Sequence, residues 1–141
     1  MQTGLRHGFD QRTRARLVRA FAGCGKLPGR GGNARGAWPS GRYGMTRRVY
    51  GARLGIVGLG RIGRAVATRA LAFGMDISYT GRTPKSDVAY RWCADARTLA
   101  AGVDFLVVCA SGGAATRGLI NRDVLATLGP AGVLINVGRG S

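Results

Sequence analysis

The sequence predicts an α/β fold: a doubly wound parallel sheet with helices on both faces, incomplete as it stands, behind a weakly ordered basic N-terminal segment. Three observations predict it. Short apolar runs recur with little polar alternation, as expected of strands buried on both faces. Stretches with helical spacing of apolar residues separate them. A Gly-x-Gly-x-x-Gly pattern stands where the first run meets its helix.

The elements follow in chain order. Arg53-Leu-Gly-Ile-Val-Gly58 is a glycine-bounded apolar run and the first candidate strand. Ile62, Ala65, Val66, Ala70 and Phe73 then recur at helical spacing, with Arg61, Arg64 and Thr68 opposite and Gly74 as the stop. Asp76-Ile-Ser-Tyr-Thr80 is a second strand, and Asp104-Phe-Leu-Val-Val-Cys109 a third, more apolar one. Asn121 is placed to cap a helix, with Asp123 in its positive first turn and Gly129-Pro130 at its end. Gly132-Val-Leu-Ile-Asn-Val137 is the last strand.

Composition divides the chain near residue 50. The 141 residues carry 22 Lys+Arg against 6 Asp+Glu, a net charge of +16. Residues 1–50 hold +10 of this and residues 51–141 the remaining +6. Within the first segment, residues 24–36 read as loop, and residues 12–21 as a short basic helix with only Leu17, Val18 and Phe21 for an apolar face. Residues 51–141 form the candidate domain.

The same composition limits the function classes. Of the 22 basic residues 20 are Arg, and all six acids are Asp. Dedicated nucleic-acid binders mix Lys with Arg and interleave aromatics for stacking, so this balance reads as coding bias toward Arg and Gly, and no specific nucleic-acid partner is expected. No apolar run approaches the roughly 20 residues a membrane span requires. Cys24, Cys93 and Cys109 are odd in number and far apart, which fits neither a disulfide framework nor a metal site and suits a cytoplasmic location.

The glycine pattern carries the chemistry. Gly58-Leu59-Gly60-Arg61-Ile62-Gly63 has a strand before it, a helix after it and a second strand about 20 residues on, the context of a Rossmann-type dinucleotide fingerprint. Gly58 allows the tight turn, Gly60 lets a pyrophosphate approach the backbone, and Gly63 lets helix pack on strand. Arg61 and Ile62 belong to the same candidate site. The second strand runs into Gly81-Arg82-Thr83, where NAD binders commonly place an Asp or Glu for the adenosine ribose. A glycine at that place removes the carboxylate that would repel a 2′-phosphate, and Arg82 can pair with it. NADP(H) is therefore expected to be preferred, with NAD(H) possible.

Gly55-Ile-Val-Gly-Leu-Gly-Arg-Ile-Gly63, Tyr79-Thr-Gly-Arg-Thr83, Thr116-Arg-Gly-Leu-Ile-Asn121 and Leu134-Ile-Asn-Val-Gly-Arg-Gly-Ser141 together resemble the nucleotide-binding domain of the D-isomer-specific 2-hydroxyacid dehydrogenases. The resemblance extends back through Gly36-Ala-Trp-Pro39 and Arg47-Arg-Val-Tyr-Gly51, and it is strongest to NADPH-preferring glyoxylate/hydroxypyruvate reductases. It implies hydride transfer from a nicotinamide to a small 2-oxo acid, giving a D-2-hydroxy acid, in an enzyme expected to be a homodimer. It also implies that Arg139 holds the substrate carboxylate and polarises the keto group. By the same resemblance Val137 and Gly138 lie near the nicotinamide, and Thr116 with the turn Ala110-Ser111-Gly112 flanks the cofactor.

Departures from the family pattern accompany the match. The resemblance implies a Glu–His pair downstream, but the chain contains no Glu, and its one histidine, His7, matches nothing in the family. Residues 1–33 are Arg/Gly-rich where the resemblance implies an apolar helix, which a shifted reading frame upstream of about Ala34 would explain. The expectation is a C-terminally truncated cofactor domain, inactive as this fragment. The alternatives are a non-catalytic nucleotide-binding or dimerising module, and a basic nucleic-acid binder using residues 6–48.

Overall fold

The computed structural model describes residues 48–138. The expected helix at 12–21, the loop at 24–36, His7 and Arg139 lie outside the described residues. Among the described residues five strands and three helices follow one another: β1 (Arg53–Val57), α1 (Arg61–Leu71), β2 (Asp76–Thr80), β3 (Arg91–Cys93), α2 (Ala96–Ala101), β4 (Phe105–Val108), α3 (Arg122–Leu128) and β5 (Val133–Asn136). A short 3₁₀ turn, Ala114–Thr116, stands between β4 and α3.

The strands form one parallel sheet in the order β3-β2-β1-β4-β5. The register sets Leu54 beside Ile77 and Phe105, and Ile56 beside Tyr79 and Val107. Alternate residues of a strand point to opposite faces, so these six side chains share a face; all are buried. Helix α1 covers it across β1 and β2. The other face carries Val57 and Leu106, which join Leu99, Ala100, Val103 and Val124 in a second core layer under α2 and α3. Burial on both faces accounts for the near-continuous apolar strands.

Helix α1 buries Val66 and Ala70 as its periodicity predicts, but its buried face is rotated away from Ile62 and Phe73. Gly63, Val66, Ala67 and Ala70 are buried, while Ile62 and Phe73 are 43% and 45% exposed. The cause is steric. A β-carbon at position 63 would overlap the Gly58 carbonyl oxygen and approach the Ile56 side chain to 3.2 Å. Only a residue without a side chain fits against that turn, so the line 63–67–70 faces the sheet and Ile62 turns outward. Gly74, expected as the stop, lies just past the helix in the left-handed conformation at φ +60°.

Strand β3 and helix α2 are absent from the sequence-level expectation. The first has three residues, of which only Cys93 is buried, too few to show a period. Helix α2 has six residues and starts at Asp95, whose carboxylate accepts from the Thr98 backbone N–H at 2.7 Å and from its hydroxyl at 3.0 Å. These bonds hold the Asp95 carboxyl below the ordinary carboxylate range. The cap expected at Asn121 is present: its side-chain oxygen accepts from the Val124 N–H at 3.0 Å. At the N-terminal edge of the sheet Arg53 grips Asp104 through Nε and a terminal nitrogen, both at 3.1 Å, tying β1 to β4.

Candidate functional site: a glycine-framed crevice at the strand ends

Because the sheet is parallel, all five strands end at one edge. The chain leaves the central β1 for β2 and β3 on one side, and β4 and β5 lie on the other. The order therefore reverses between β1 and β4, and open α/β sheets bind ligands in the crevice at that reversal. Gly58, at φ +94°, makes the turn out of β1 there; its N–H donates to the Thr80 carbonyl at 2.9 Å. A β-carbon on Gly58 would sit 3.0 Å from the backbone nitrogen of Ala110, at the end of β4. Val137 N–H donates to the Val108 carbonyl at 3.0 Å, and a β-carbon on Gly138 would sit 2.9 Å from the Ala110 carbonyl oxygen. Gly58, Ala110, Val137 and Gly138 thus form one continuous backbone rim.

Helix α1 points its N-terminus into this rim. Its first intrahelical bond runs from the Arg64 N–H to the Gly60 carbonyl at 2.9 Å, and no side chain caps it. The N–H groups of Arg61, Ile62 and Gly63 precede any intrahelical acceptor, and a β-carbon on Gly60 would meet nothing within 4 Å. Free donors, the positive end of a helix and an open approach over a glycine form a cradle for a diphosphate. The residues present fit the cofactor that the glycine pattern predicts.

The second candidate cluster lies at the end of β2. Gly81, where a β-carbon would also meet open space, is followed by exposed Arg82 and Thr83. Three contacts hold the loop that carries them. The Lys85 N–H donates to the Tyr79 hydroxyl at 2.6 Å, the Trp92 indole N–H donates to the Gly81 carbonyl at 3.4 Å, and Asp87 pairs with Arg64 of α1 at 2.8 Å. The Arg64 guanidinium holds the Asp87 carboxyl below its usual range. Sequence reasoning gave Asp87, Tyr79, Trp92 and Arg64 no role in holding this loop; nothing in their spacing announces the pairing, although a tyrosine at an inward strand position does announce a hydroxyl in need of a partner.

On the far side of the crevice, the Thr116 hydroxyl lies 2.8 Å from the Ser111 carbonyl and 3.2 Å from that of Gly113, fastening the loop after β4. Ser111 is exposed and Ala110 half-buried. At the adjacent Cys109, burial pushes the thiol up to about 12. The structure thus brings together Gly58, Gly60, Arg61, Ile62, Gly63, Ala110, Val137 and Gly138, places Gly81, Arg82 and Thr83 at the neighbouring strand end, and sets Ser111 and Thr116 in the loop after β4. Among the described residues no three His, Cys, Asp or Glu side chains converge as metal ligands would, and no helix is long and apolar enough to cross a membrane.

Fold and crevice together define a dinucleotide-binding domain of the doubly wound type. The D-isomer specific 2-hydroxyacid dehydrogenase NAD binding domain family matches residues 29–141, and the chain belongs to it. Hydroxyphenylpyruvate reductase from Plectranthus scutellarioides is 48% identical over 106 residues, which are 75% of this chain and 34% of that protein. Glyoxylate/hydroxypyruvate reductase A from Arabidopsis thaliana is 46% identical over 105 residues, 74% of this chain and 34% of that one. Among solved structures, the NADPH-dependent glyoxylate/hydroxypyruvate reductase from Sinorhizobium meliloti, in complex with NADP and malonate, superimposes with a TM-score of 0.79 at 37% identity, covering 93% of this chain and 41% of that one. The 2-hydroxyacid dehydrogenase from Ketogulonicigenium vulgare gives 0.78 at 41% identity, covering 92% and 41%. The chain spans about a third of the length of the curated relatives it matches.

Proposed function

We propose that residues 51–141 are the cofactor half of a reductase that converts small 2-oxo acids of the glyoxylate/hydroxypyruvate type to D-2-hydroxy acids, with NADP(H) preferred over NAD(H). The observation that carries this reading is the Gly81-Arg82-Thr83 turn, open at Gly81 and tied down by Tyr79, Trp92 and Asp87 beside the glycine-framed crevice. The names of the Sinorhizobium and Arabidopsis relatives support it.

When bound, the nicotinamide supplies the hydride. The α1 N-terminus, with Arg61, Ile62 and the glycines at 58, 60 and 63, receives the diphosphate; Arg82 and Thr83 take the 2′-phosphate. Ala110, Ser111 and Thr116 flank the cofactor from the β4 side, and Val137 and Gly138 border the nicotinamide. Arg139 is assigned to the substrate carboxylate, which a planar guanidinium grips in a fixed fork. Protonation of the nascent alkoxide falls to no residue of this chain, since it contains no Glu and its one histidine, His7, has no counterpart in the family pattern. We therefore expect cofactor binding without turnover from these 141 residues. A cytoplasmic homodimer belongs to this reading; Tyr50, Leu71 and Phe73, apolar and exposed, offer surface for self-association.

Calorimetric titration with NADPH and NADH at physiological ionic strength tests the proposal. A charge-assisted hydrogen bond contributes about 1.5–3 kcal/mol, a preference of roughly tenfold to a hundredfold. NADPH should bind more tightly by that factor, and Arg82→Ala should erase most of the gap. Equal affinities in the unmutated chain would refute the cofactor assignment.

A further inference from the structure

The segment between β2 and β3 contains no helix or strand, yet it is fastened at three points. Its first carbonyl, that of Gly81, accepts from Trp92; its middle amide, that of Lys85, donates to Tyr79, a side chain 1% exposed. Its last anchor is Asp87, whose two carboxylate oxygens meet two terminal nitrogens of Arg64 at 3.1 and 2.8 Å. Arg64 lies one turn into α1, the helix whose N-terminus frames the diphosphate cradle. One ion pair thus ties the loop that carries Arg82 to the helix whose N-terminus frames the cradle.

We propose that Asp87, acting through Arg64, is a positioning residue for Arg82: it fixes the turn so that the guanidinium meets a nucleotide 2′-phosphate at the distance set by the diphosphate on α1. This rests on the reading of Arg82 as the 2′-phosphate partner and adds the residue that makes it selective. Electrostatics alone gives the opposite expectation. Asp87 is an ionised acid on the loop that would receive a phosphate, so removing it should strengthen binding of the more highly charged cofactor. If its role is geometric, removing it frees the loop, and the ordering lost must be supplied on binding. The two accounts differ in sign.

The experiment is calorimetric titration of the 141-residue chain and its variants with NADPH and NADH. Asp87→Ala is expected to weaken NADPH about threefold to tenfold, part of the roughly tenfold-to-hundredfold contribution of Arg82, and to leave NADH unchanged. Arg64→Met breaks the same pair from the other side and should do likewise, whereas Asp87→Glu keeps the pair and should restore the preference. Asp123→Asn on α3 removes one negative charge from the opposite face and should have no such effect. In an Arg82→Ala background, Asp87→Ala should cost nothing further, because the guanidinium it positions is gone. Should Arg82→Ala abolish the preference while Asp87→Ala leaves NADPH affinity equal or tighter, the positioning role is overturned and the cofactor reading stands. Should Arg82→Ala leave the preference untouched, or neither cofactor bind, the cofactor reading falls and this inference with it.

Discussion

Replacing Gly63 with alanine separates two effects that act in opposite directions. In an ordinary helix interior the change is favourable by about 0.5–1 kcal/mol, because alanine loses less backbone freedom on folding. Here the new β-carbon would overlap the Gly58 carbonyl oxygen and lie 3.2 Å from both the Gly58 carbonyl carbon and an Ile56 methyl. The carbonyl cannot swing aside cheaply. Gly58 already sits at φ +94°, its N–H is bonded to Thr80, and Ala110 closes on it from β4. Forcing an extra methyl into a filled site costs about 1–3 kcal/mol, and rigid backbone on the far side argues for the upper end. The net expectation is a loss of about 2 kcal/mol, which for a domain of this size lowers the melting temperature by roughly 8–16 °C. Thermal unfolding followed by circular dichroism, with Thr68→Ala on the exposed face of the same helix as control, measures it. A Gly63→Ala chain that melts at or above the parent temperature would refute the close helix–turn contact, and with it the explanation of why Ile62 faces outward.

Three further outcomes follow from the structure. Leu106, fully buried between β1 and β5, should cost about 2–5 kcal/mol when cut to alanine in urea denaturation, and a loss under 1 kcal/mol would contradict the second core layer. Asp95 has a carboxyl lower in the folded chain than in the unfolded one, so the unfolded chain takes up the proton first; its stabilisation is complete above the ordinary carboxylate value and lost as pH falls through that value to the lower, folded one. Asp95→Asn should flatten that part of the stability–pH curve, and an unchanged slope would argue against the cap. Cys109, raised to about 12 by burial, should resist alkylation near neutral pH in the native chain and react readily in denaturant, read peptide by peptide by mass spectrometry; native labelling at the rate of a free thiol would show the site to be open.

The strands that were legible in the sequence are the ones long and apolar enough to carry a pattern: β1, β2, β4 and β5 fall within a residue of their expected ends. Strand β3 and helix α2 were illegible for a physical reason. At the sheet edge a three-residue strand buries one side chain, and its pairing with β2 comes from backbone bonds that composition does not reveal. On α1, Val66 and Ala70 were placed inward as observed, but Ile62 was misplaced because a glycine counts as blank in any hydrophobic pattern, although the missing side chain of Gly63 is here the contact. The turn into α1 was readable from Gly58, Gly60 and Gly63, whose spacing is dictated by backbone geometry. The ties on the 81–90 loop were not, because Asp87 meets Arg64 across 23 residues of chain, and only the fold brings them together.

The central place of β1 has a consequence for the time course of folding. β1 pairs with β2 across a connection of fewer than twenty residues, but with β4 only after about fifty residues of intervening chain, the separation across which Arg53 reaches Asp104. Contacts close in sequence form at lower entropic cost than distant ones. The unit β1-α1-β2 is therefore expected to assemble first, leaving one flank of β1 unpaired until β4 arrives. Substitutions such as Val66→Ala in the early unit should then chiefly slow refolding, while Ile135→Val in the late-joining β5 should chiefly hasten unfolding. Stopped-flow measurement of both limbs would decide it, and the reverse assignment of the two effects would place the nucleus at β4 and β5. The strand that leads into the first residue of the crevice would then also set the order in which the crevice is built.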